Sequence, residues 1–237
     1  MILVYITLDN SNSMKKYKGN KNISGVREKI IGLIPKDWQF IEGFGGGAGI
    51  GKIVYSRSEK VIIIEKSKKQ FEKLCEVFSC SIVINNCVIS YLKERQFVLN
   101  PNTVIFLDPP YLFETRFENS IFYDCEMSIQ DHIDFLNYVQ SSGLFYIIIH
   151  PINRLYDECL FGWRWVDVNI RYNSKTSKER IYTNLPSGIA LFDYMSSVEN
   201  FTKRQAVKRE LNNMIKKMKA MSYEKRCFFL SEISKSL

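Results

Sequence analysis

The sequence predicts an α/β fold built on a mostly parallel sheet, and three observations support this. A glycine-rich segment, residues 43–51, follows a short apolar stretch; a second apolar stretch, residues 61–64, ends in Glu65; and a third, Thr103–Leu107, ends in Asp108-Pro109-Pro110-Tyr111. Short apolar runs bounded by turn-forming residues are typical of buried strands. Because ligands of open α/β sheets bind at the carboxyl ends of the strands, we expect the functional site at these three ends.

The first predicted strand, residues 38–42, leads into a segment made largely of glycine. Six of the nine residues from 43 to 51 are glycine, which is half of the twelve in the chain. Glycine allows a tight turn and lets a ligand lie directly against the backbone. No Gly-Lys-Ser/Thr follows the glycines, which argues against a phosphate-cradling P-loop. The alternative is a flexible loop that binds nothing.

The second predicted strand, residues 61–64, ends in an acidic residue, Glu65. In nucleotide-binding α/β folds an acid at this position hydrogen-bonds ribose hydroxyls. The third strand position falls within residues 82–88, after a further segment of helical pattern. The glycine segment and Glu65 together predict a ligand that contains a nucleoside.

The fourth predicted strand, Thr103–Leu107, brings a carboxylate, two prolines and an aromatic ring to one strand end. The exocyclic amine of a nucleobase is a poor nucleophile, because its lone pair is delocalised into the ring. Asp108 and a carbonyl of the stiff Pro109-Pro110 turn can each accept one N–H of such an amine and stabilise the positive charge that develops on nitrogen. Tyr111 offers a face on which a flipped base can stack. The alternative is a strand-ending turn with a surface tyrosine.

The segments after this motif continue the α/β pattern. Residues 112–119 predict a lid or a DNA-facing loop, although their aromatic side chains are also compatible with the core. Residues 131–141 predict a helix, and residues 144–149 predict a buried strand. A polar basic cluster predicts a loop between the last two strands; it contains Arg171, Lys175, Lys178 and Arg180.

The positive charge of the chain is concentrated at its C-terminal end. Of the formal net charge of +8, residues 200–237 contribute +7, from ten basic and three acidic residues. This segment has no proline or glycine and carries apolar residues at helical spacing, which predicts one or two basic amphipathic helices. Such helices suit contacts with phosphates. The alternatives are a helix that caps the core through its apolar stripe, or one that docks a partner subunit.

Length and composition set further bounds. A chain of 237 residues is long enough for one domain with an appendage. We expect no secretory signal, and no apolar stretch approaches the ~20 residues that cross a membrane. The six cysteines form no Cys-x-x-Cys pair, so we expect no zinc site and reduced thiols in a cytoplasmic protein. His132, expected on a helix, and His150, expected at a strand end, have no ligand partner at a suggestive spacing.

In this order, the motifs resemble the Dam-type (D12) class of S-adenosylmethionine-dependent DNA adenine-N6 methyltransferases. The resemblance covers roughly residues 14–190, and the ordered set of motifs is more specific than any single one. Four segments carry it: Tyr17-Lys18-Gly19-Asn20-Lys21 with a following helix that ends near Pro35, the cofactor loop at residues 40–49, the catalytic motif at residues 108–111, and a later strand with an asparagine at residues 179–186.

The resemblance implies a Rossmann-like class I methyltransferase fold. The implied sheet is mostly parallel with an antiparallel hairpin at its edge, and the basic helices follow it. A methyltransferase domain is therefore expected over residues 1–196, and a basic helical extension over residues 197–237.

The resemblance also implies the roles of individual residues. The implied catalytic residues are Asp108, Pro109, Pro110 and Tyr111. The positions implied for S-adenosylmethionine are Tyr17, Lys21, Glu42, Gly43, Phe44, Gly45, Gly47, Glu65, Asn86 and Asp108. Because Lys21 stands among other lysines, the alternative for it is a solvated charge. Contacts with nucleic acid are expected at Arg116, Lys175, Lys178, Arg180, Lys203, Arg204, Lys208 and Arg209.

The chain departs from the family pattern at three places. The first strand continues Glu42-Gly43-Phe44, whereas the family has proline after the glutamate. At the third strand the family has an aspartate that contacts the adenine of the cofactor, and this chain offers only Asn85, Asn86 or Cys87. Asparagine can still donate and accept hydrogen bonds. Finally, 56 residues (52–107) separate the glycine segment from Asp108, and no recognition insert fits among the strands and helices that fill them.

The sequence therefore predicts transfer of a methyl group from S-adenosylmethionine to the N6 amine of adenine in DNA, after the base is flipped out of the strand. Two alternatives stay open: an RNA adenine-N6 methyltransferase, and a weakly active or non-catalytic nucleic-acid-binding subunit of a methyltransferase complex. We expect a cytoplasmic protein of a prokaryotic cell, a phage or a mobile element. Its expected partners are DNA or RNA, with a partner subunit or a homodimer as a further option.

Overall fold

A computed structural model of the chain describes residues 21, 23, 25–56, 60–116, 123–172, 175–187 and 201–236. Within these residues one seven-stranded sheet has the order β3-β2-β1-β4-β5-β7-β6. The strands are β1 (Gln39–Gly43), β2 (Val61–Glu65), β3 (Val83–Asn85), β4 (Thr103–Leu107), β5 (Phe145–Pro151), β6 (Arg164–Tyr172) and β7 (Lys175–Thr183). Strands β1 to β5 are parallel, and β7 runs antiparallel to both β5 and β6.

This sheet confirms the predicted Rossmann-like class I methyltransferase fold, including the antiparallel hairpin at one edge. The chain builds outwards from β1 to β3 and then crosses back to place β4 on the other side of β1. The order of the strands therefore reverses between β1 and β4. Ligands of doubly wound sheets bind at such a switch point, outside the carboxyl ends of the strands.

Helices cover both faces of the sheet. They are α1 (Val26–Ile31), α2 (Gly49–Tyr55), α3 (Lys68–Cys75), α4 (Val88–Arg95), α5 (Ile129–Ser141) and α6 (Arg154–Cys159). Helices α1 to α3 pack on the face that presents Phe40 and Phe106, and α4 to α6 pack on the face that presents Ile41 and Ile105. Every residue of β4 is buried, since parallel strands covered on both faces form continuous apolar runs.

Local sequence signals begin two of the helices. The Ser128 hydroxyl accepts a hydrogen bond from the backbone N–H of Asp131, and the Asp131 carboxylate accepts one from the backbone N–H of Ser128. This reciprocal capping box fixes the start of α5, two residues before the predicted start at 131. Ser67 caps α3 from one side only, with its hydroxyl accepting from the backbone N–H of Gln70.

The prediction of a basic loop between the last two strands was wrong. Arg171 lies in β6, and Lys175, Lys178 and Arg180 lie in β7, because the strands of this hairpin extend to Tyr172 and from Lys175. A strand at the edge of an antiparallel sheet can face solvent and carry polar residues. The polar composition therefore resembled that of a loop.

Two basic helices follow the sheet domain, as predicted: α7 (Phe201–Lys219) and α8 (Tyr223–Ser236). Their apolar side chains are not buried, since Leu211, Met214 and Phe228 are 48%, 56% and 68% exposed. The predicted domain boundary after residue 196 lies outside the described residues. None of the helices in the described ranges combines the length and the apolar character that spanning a membrane requires.

Candidate active site

A cavity of about 300 Å³ lies at the carboxyl ends of β1, β2 and β4, at the switch point of the sheet. The register of the sheet explains its position. Gly43 at the end of β1 pairs with Leu107 at the end of β4, so that Phe44 and Asp108 emerge side by side. Both residues line the cavity, together with the glycine segment after β1.

The glycine segment is held against the end of β2. The backbone N–H of Gly45 donates to the carbonyl of Ile64 at 2.9 Å, and the N–H of Gly46 donates to Glu65 Oε2 at 2.7 Å. The side-chain amide of Gln70 donates to the carbonyl of Gly46. Phe44, Gly46 and Ala48 adopt positive φ angles of 53°, 48° and 44°, a conformation that costs least at glycine. The loop therefore has a defined shape with its backbone lining the cavity.

Two glutamates that were expected to contact the cofactor also bind this backbone. Both oxygens of Glu65 accept hydrogen bonds at 2.7 Å, Oε2 from Gly46 and Oε1 from the N–H of Ser67. Glu42 accepts from the N–H of Gly51 in the first turn of α2. Burial raises the pKa of Glu42 to about 8, and the negative charge of Asp108 adds to this rise. Both side chains line the cavity, so they shape the loop and stay within reach of a ligand.

Asp108 belongs to a cluster of charges at the back of the cavity. Lys21 is 3% exposed, and its Nζ lies 3.2 Å from Asp108 Oδ1 and 3.3 Å from Glu179 Oε2. The same ammonium donates to the hydroxyl of Tyr111, which in turn donates to Glu179 Oε1. Lys21 is thus a buried bridge between two carboxylates and not a solvated charge.

One oxygen of Asp108 is available to a ligand. Lys21 occupies Oδ1, whereas Oδ2 accepts no hydrogen bond from the part of the chain that the structure describes. The side chain is 20% exposed and lines the cavity. Burial raises the pKa of Asp108 to about 7, an effect that Lys21 opposes and Glu179 reinforces. A carboxylate of this kind is a strong acceptor for an N–H group of a ligand.

Two histidines pack behind the motif. The ring of His150 stacks on Tyr156 with centroids 3.8 Å apart, and its edge meets Tyr111. His150 Nε2 accepts from the N–H of Leu112 at 3.3 Å, while Nδ1 donates to the carbonyl of Pro151 at 2.8 Å. Burial holds the pKa of His150 well below its usual range, in agreement with a neutral ring that donates at one nitrogen and accepts at the other. His150 therefore fixes the backbone that follows Asp108.

Arg116 is held inside the structure. Its side chain is 3% exposed; the guanidinium donates to Glu126 Oε1 and to the carbonyl of Tyr111, both at 2.9 Å. The segment around Glu126 lines the cavity, and the Ser67 hydroxyl donates to Asp124 Oδ2 at 3.1 Å across it. Arg116 thus ties the turn after β4 to the cavity-lining segment around Glu126. A phosphate contact, expected from the sequence, does not fit this buried, ion-paired position.

The asparagines at the end of β3 hold different positions. The side-chain amide of Asn85 donates to the carbonyls of Glu65 and Lys66 at 2.8 and 3.1 Å and so joins β3 to β2. Asn86 lines the cavity, and its Oδ1 accepts from the N–H of Cys87. Of the two asparagines, Asn86 is therefore the one within reach of a ligand in the cavity.

The structure brings most of the predicted cofactor positions together. Those that line the cavity are Lys21, Glu42, Phe44, Gly45, Gly47, Glu65, Asn86 and Asp108, joined by Pro110 of the catalytic motif. Gly43 lies underneath, where a Cβ would meet Val88 Cγ2 at 2.5 Å. Pro109 follows Asp108 in the turn after β4, and Tyr111 reaches the cluster through its hydroxyl. Tyr17 lies outside the described residues.

The basic residues expected to contact nucleic acid are in different situations. Arg180 pairs with Asp157 and Asp167 at 2.9 and 2.6 Å and lies over the ring of Trp165. Lys178 is exposed on β7, as are Lys208 and Arg209 on α7. Lys175 lies in β7, and Lys203 and Arg204 lie in α7.

Glu179 is the member of the site that sequence reasoning missed. It is fully buried and binds both Lys21 and Tyr111. The family resemblance includes Glu179 only as the start of a strand. The available signal was the antiparallel direction of β7, which places Glu179, the first residue of β7 that pairs with β5, beside Pro151 at the carboxyl end of β5.

Comparisons with known proteins find a distant structural likeness only. No family model matches the chain, and no curated protein matches it. Among solved structures, the chain is similar to the SAM-dependent methyltransferase from Agrobacterium tumefaciens, with 11% identity and a TM-score of 0.44, over 66% of this chain and 59% of that one. It is also similar to TrmK of M. capricolum in complex with S-adenosyl-homocysteine, with 11% identity and a TM-score of 0.43, over 88% and 94% of the two chains. Values this low decide nothing about function, and the fold follows from the strand order of the sheet.

Proposed function

We propose that this protein transfers a methyl group from S-adenosylmethionine to the N6 amine of adenine in DNA. One observation carries the proposal: Asp108 lies at the switch point of the sheet with Oδ1 held by Lys21, while Oδ2 has no partner among the described residues. An amine that enters the cavity can donate an N–H to this oxygen. The motif resemblance favours adenine as the source of the amine.

The charges of the cavity fit a positively charged cofactor. Three basic side chains line it, Lys21, Lys66 and Lys93, against seven acidic ones, Glu42, Glu65, Asp108, Asp124, Glu126, Asp131 and Asp134. Even with Glu42 protonated, as its raised pKa favours, the acids outnumber the bases. An acidic cavity attracts a sulfonium and repels the pyrophosphate of a dinucleotide. The exposed backbone of the glycine loop allows close approach of a nucleoside. S-adenosylmethionine, when bound, supplies an electrophilic methyl group on its sulfonium.

The residues of the chain contribute alignment and electrostatic stabilisation. Asp108 Oδ2 accepts one N–H of the substrate amine, and a carbonyl of the Pro109-Pro110 turn is placed by the sequence to accept the other. Both contacts become stronger as positive charge develops on nitrogen, so they lower the barrier and do not only bind the substrate. Lys21 and His150 hold the motif in place from behind.

We further propose that the exposed basic residues of α7 contact the phosphates of the nucleic acid. Lys208 and Arg209 are exposed on α7, and residues 200–237 carry +7 of the +8 formal charges. Sequence-independent affinity for DNA arises mainly from such contacts. These phosphate contacts would supply the DNA affinity that the recognition insert supplies in the Dam-type family.

Methyl transfer is tested with isotope-labelled S-adenosylmethionine and three substrates: duplex DNA, single-stranded DNA and total RNA. The proposal predicts that label enters DNA with the wild-type protein. Because Asp108→Asn removes the charge and keeps the shape of the side chain, it is expected to lower kcat by at least about 100-fold.

Asp37→Asn is the matched control, since Asp37 lies in the turn before β1, at the opposite end of that strand from the cavity. It should leave incorporation unchanged. Label in RNA alone would transfer the proposal to RNA adenine. No label in any substrate, with S-adenosylmethionine bound, would support a non-catalytic subunit and refute the proposed activity.

A further inference from the structure

Glu179 is a fully buried carboxylate that does not itself line the cavity. Its two oxygens have separate partners. Oε2 lies 3.3 Å from Lys21 Nζ, and Oε1 accepts from the hydroxyl of Tyr111. Glu179 therefore contacts Lys21, which also contacts Asp108, and Tyr111, which belongs to the same motif as Asp108.

Lys21 divides its charge between two acids. Its Nζ is 3.2 Å from Asp108 and 3.3 Å from Glu179, so neither carboxylate holds it alone. The ammonium also lies 4.6 Å from the centre of the Tyr111 ring, at a distance typical of a cation–π contact. When both carboxylates are ionised, these three charged side chains carry one negative charge in excess.

We propose that Glu179 is a positioning residue for Asp108, a role that rests on the proposed methyl transfer. Glu179 holds the ammonium of Lys21 between the two carboxylates and anchors the hydroxyl of Tyr111. Asp108 is therefore only partly neutralised, and its Oδ2 remains a strong acceptor for the substrate amine. Without the charge of Glu179, Lys21 would pair with Asp108 alone and weaken it as an acceptor.

The other titratable groups near Asp108 do not reverse this effect. Burial raises the pKa of Asp108 to about 7, while Lys21 lowers it and Glu179 raises it. Glu42, which faces Asp108 from β1, is protonated at neutral pH because its pKa is about 8. Burial keeps Tyr156 on α6 neutral, and it keeps His150 on β5, which faces Lys21, neutral as well. Among the described residues, Glu179 is thus the acid whose charge raises the pKa of Asp108.

Glu179→Gln tests the proposal in the full-length protein, because it removes the charge and keeps a hydrogen-bond acceptor. The Asp108 carboxyl signal is followed by ¹³C NMR titration and assigned by its loss in Asp108→Asn. Its midpoint should fall by about 1 pH unit in the variant. The acid limb of the pH profile of kcat/KM should also shift to lower pH. We expect kcat to fall about three- to tenfold. The Kd of S-adenosylmethionine should change less than twofold. Glu158→Gln is the matched control, since Glu158 is 61% exposed on α6, and it should change none of these quantities.

An unchanged Asp108 titration in a folded Glu179→Gln protein would overturn the proposal. This readout needs no catalysis, so it stays valid even if the wild-type protein transfers no methyl group. If Glu179→Gln does not fold, Tyr111→Phe provides the second test, because it removes the hydroxyl that joins Glu179 to Lys21. Its kcat should fall several-fold at unchanged cofactor affinity, and an unchanged kcat would count against the proposal.

Discussion

At the scale of single residues, burial and ion pairing act on the same carboxylates in opposite directions. Asp108 and Glu42 face each other, and burial raises the pKa of both, to about 7 and about 8. Lys21 partly offsets this effect at Asp108, and the N–H of Gly51 does so at Glu42. Both carboxyl groups therefore titrate closer to neutral pH than exposed acids do, with the pKa of Asp108 below that of Glu42.

The raised pKa of Glu42 predicts a pH-dependent loss of stability. Because the folded protein binds this proton more tightly than the unfolded chain, the stabilisation is complete below about pH 4.5 and is lost as the pH rises towards 8. Glu42→Gln keeps an acceptor for Gly51 and cannot ionise. Its free energy of unfolding should fall less steeply between pH 5 and 8, with a difference on the order of a few kcal/mol at pH 8. Denaturant titrations at several pH values measure this.

The raised pKa of Asp108 also makes the free energy of unfolding fall as the pH rises. Part of the pH dependence of the wild-type stability should therefore persist in Glu42→Gln. Glu72→Gln is the control, since Glu72 is exposed on α3. It should keep the full wild-type slope. Equal slopes for wild type and Glu42→Gln would mean that Glu42 is ionised in the folded protein.

At the scale of elements, the glycine loop and the first turn of α2 are packed around Glu42. A Cβ at Gly51 would overlap Glu42 Oε2, and a Cβ at Gly45 would lie 2.8 Å from Ile63 Cγ2. The loop can therefore bring its backbone to the cavity only if these positions lack side chains. Packing within the protein is therefore a reason for glycine at both positions, in addition to any contact of the loop with a ligand.

Gly51→Ala tests this packing through the sign of its effect. Alanine inside a helix is ordinarily more stable than glycine by about 1 kcal/mol. Here the overlap with Glu42 should reverse the sign and destabilise the protein by about 1–3 kcal/mol. Thermal or urea unfolding measures the change, with Lys52→Ala at the exposed neighbouring position as the control. A more stable Gly51→Ala protein would show that the Glu42 carboxylate does not lie against α2.

The elements also show which parts of the site were predictable. Asp108 and the glycine loop directly follow parallel strands, so local sequence was enough to place them at the carboxyl edge. Glu179 lies in the middle of β7, where it pairs with Pro151 at the end of β5, and this antiparallel pairing is not encoded locally. The ion pair of Arg116 with Glu126 likewise joins residues ten positions apart in the chain, and no local sequence pattern indicates it. The hairpin itself was predicted, but its polar residues between 171 and 180 were assigned to a loop, because solvent-facing strands and loops share a composition.

At the scale of the whole molecule, charge separates the sheet domain from the helices that follow it. Residues 200–237 hold nearly all the excess positive charge, while the cavity is rich in acids. A basic surface attracts polyanions, such as the nucleic acid of the proposed reaction. The acidic cavity instead suits a cationic cofactor and the charge that develops on the amine.

Neutralising four exposed basic residues of α7 tests whether this helix, and not the cavity, provides the affinity for DNA. Lys208, Arg209, Lys216 and Lys217 are replaced together by glutamine, and the affinity for duplex DNA is measured against salt concentration. The slope of log K against log [salt] is negative, and each phosphate contact that is lost should reduce its magnitude by about 0.9. The affinity for S-adenosylmethionine should not change.

The control replaces four exposed lysines outside this surface, Lys36, Lys68, Lys69 and Lys73, by glutamine. It makes the same change in net charge and should leave the slope near that of the wild type. Equal slopes for the two quadruple variants would show that overall charge, and not α7, governs binding to DNA.

Nucleoside mass spectrometry is the most direct test of the proposal that Asp108 receives the N6 amine of adenine in DNA. Duplex DNA is incubated with S-adenosylmethionine and either wild-type protein or Asp108→Asn, digested to nucleosides and analysed. The predicted result is N6-methyl-2′-deoxyadenosine with the wild-type protein and none above background with the variant. Methylation of a different base or atom, or an equal yield from both proteins, would contradict the claim.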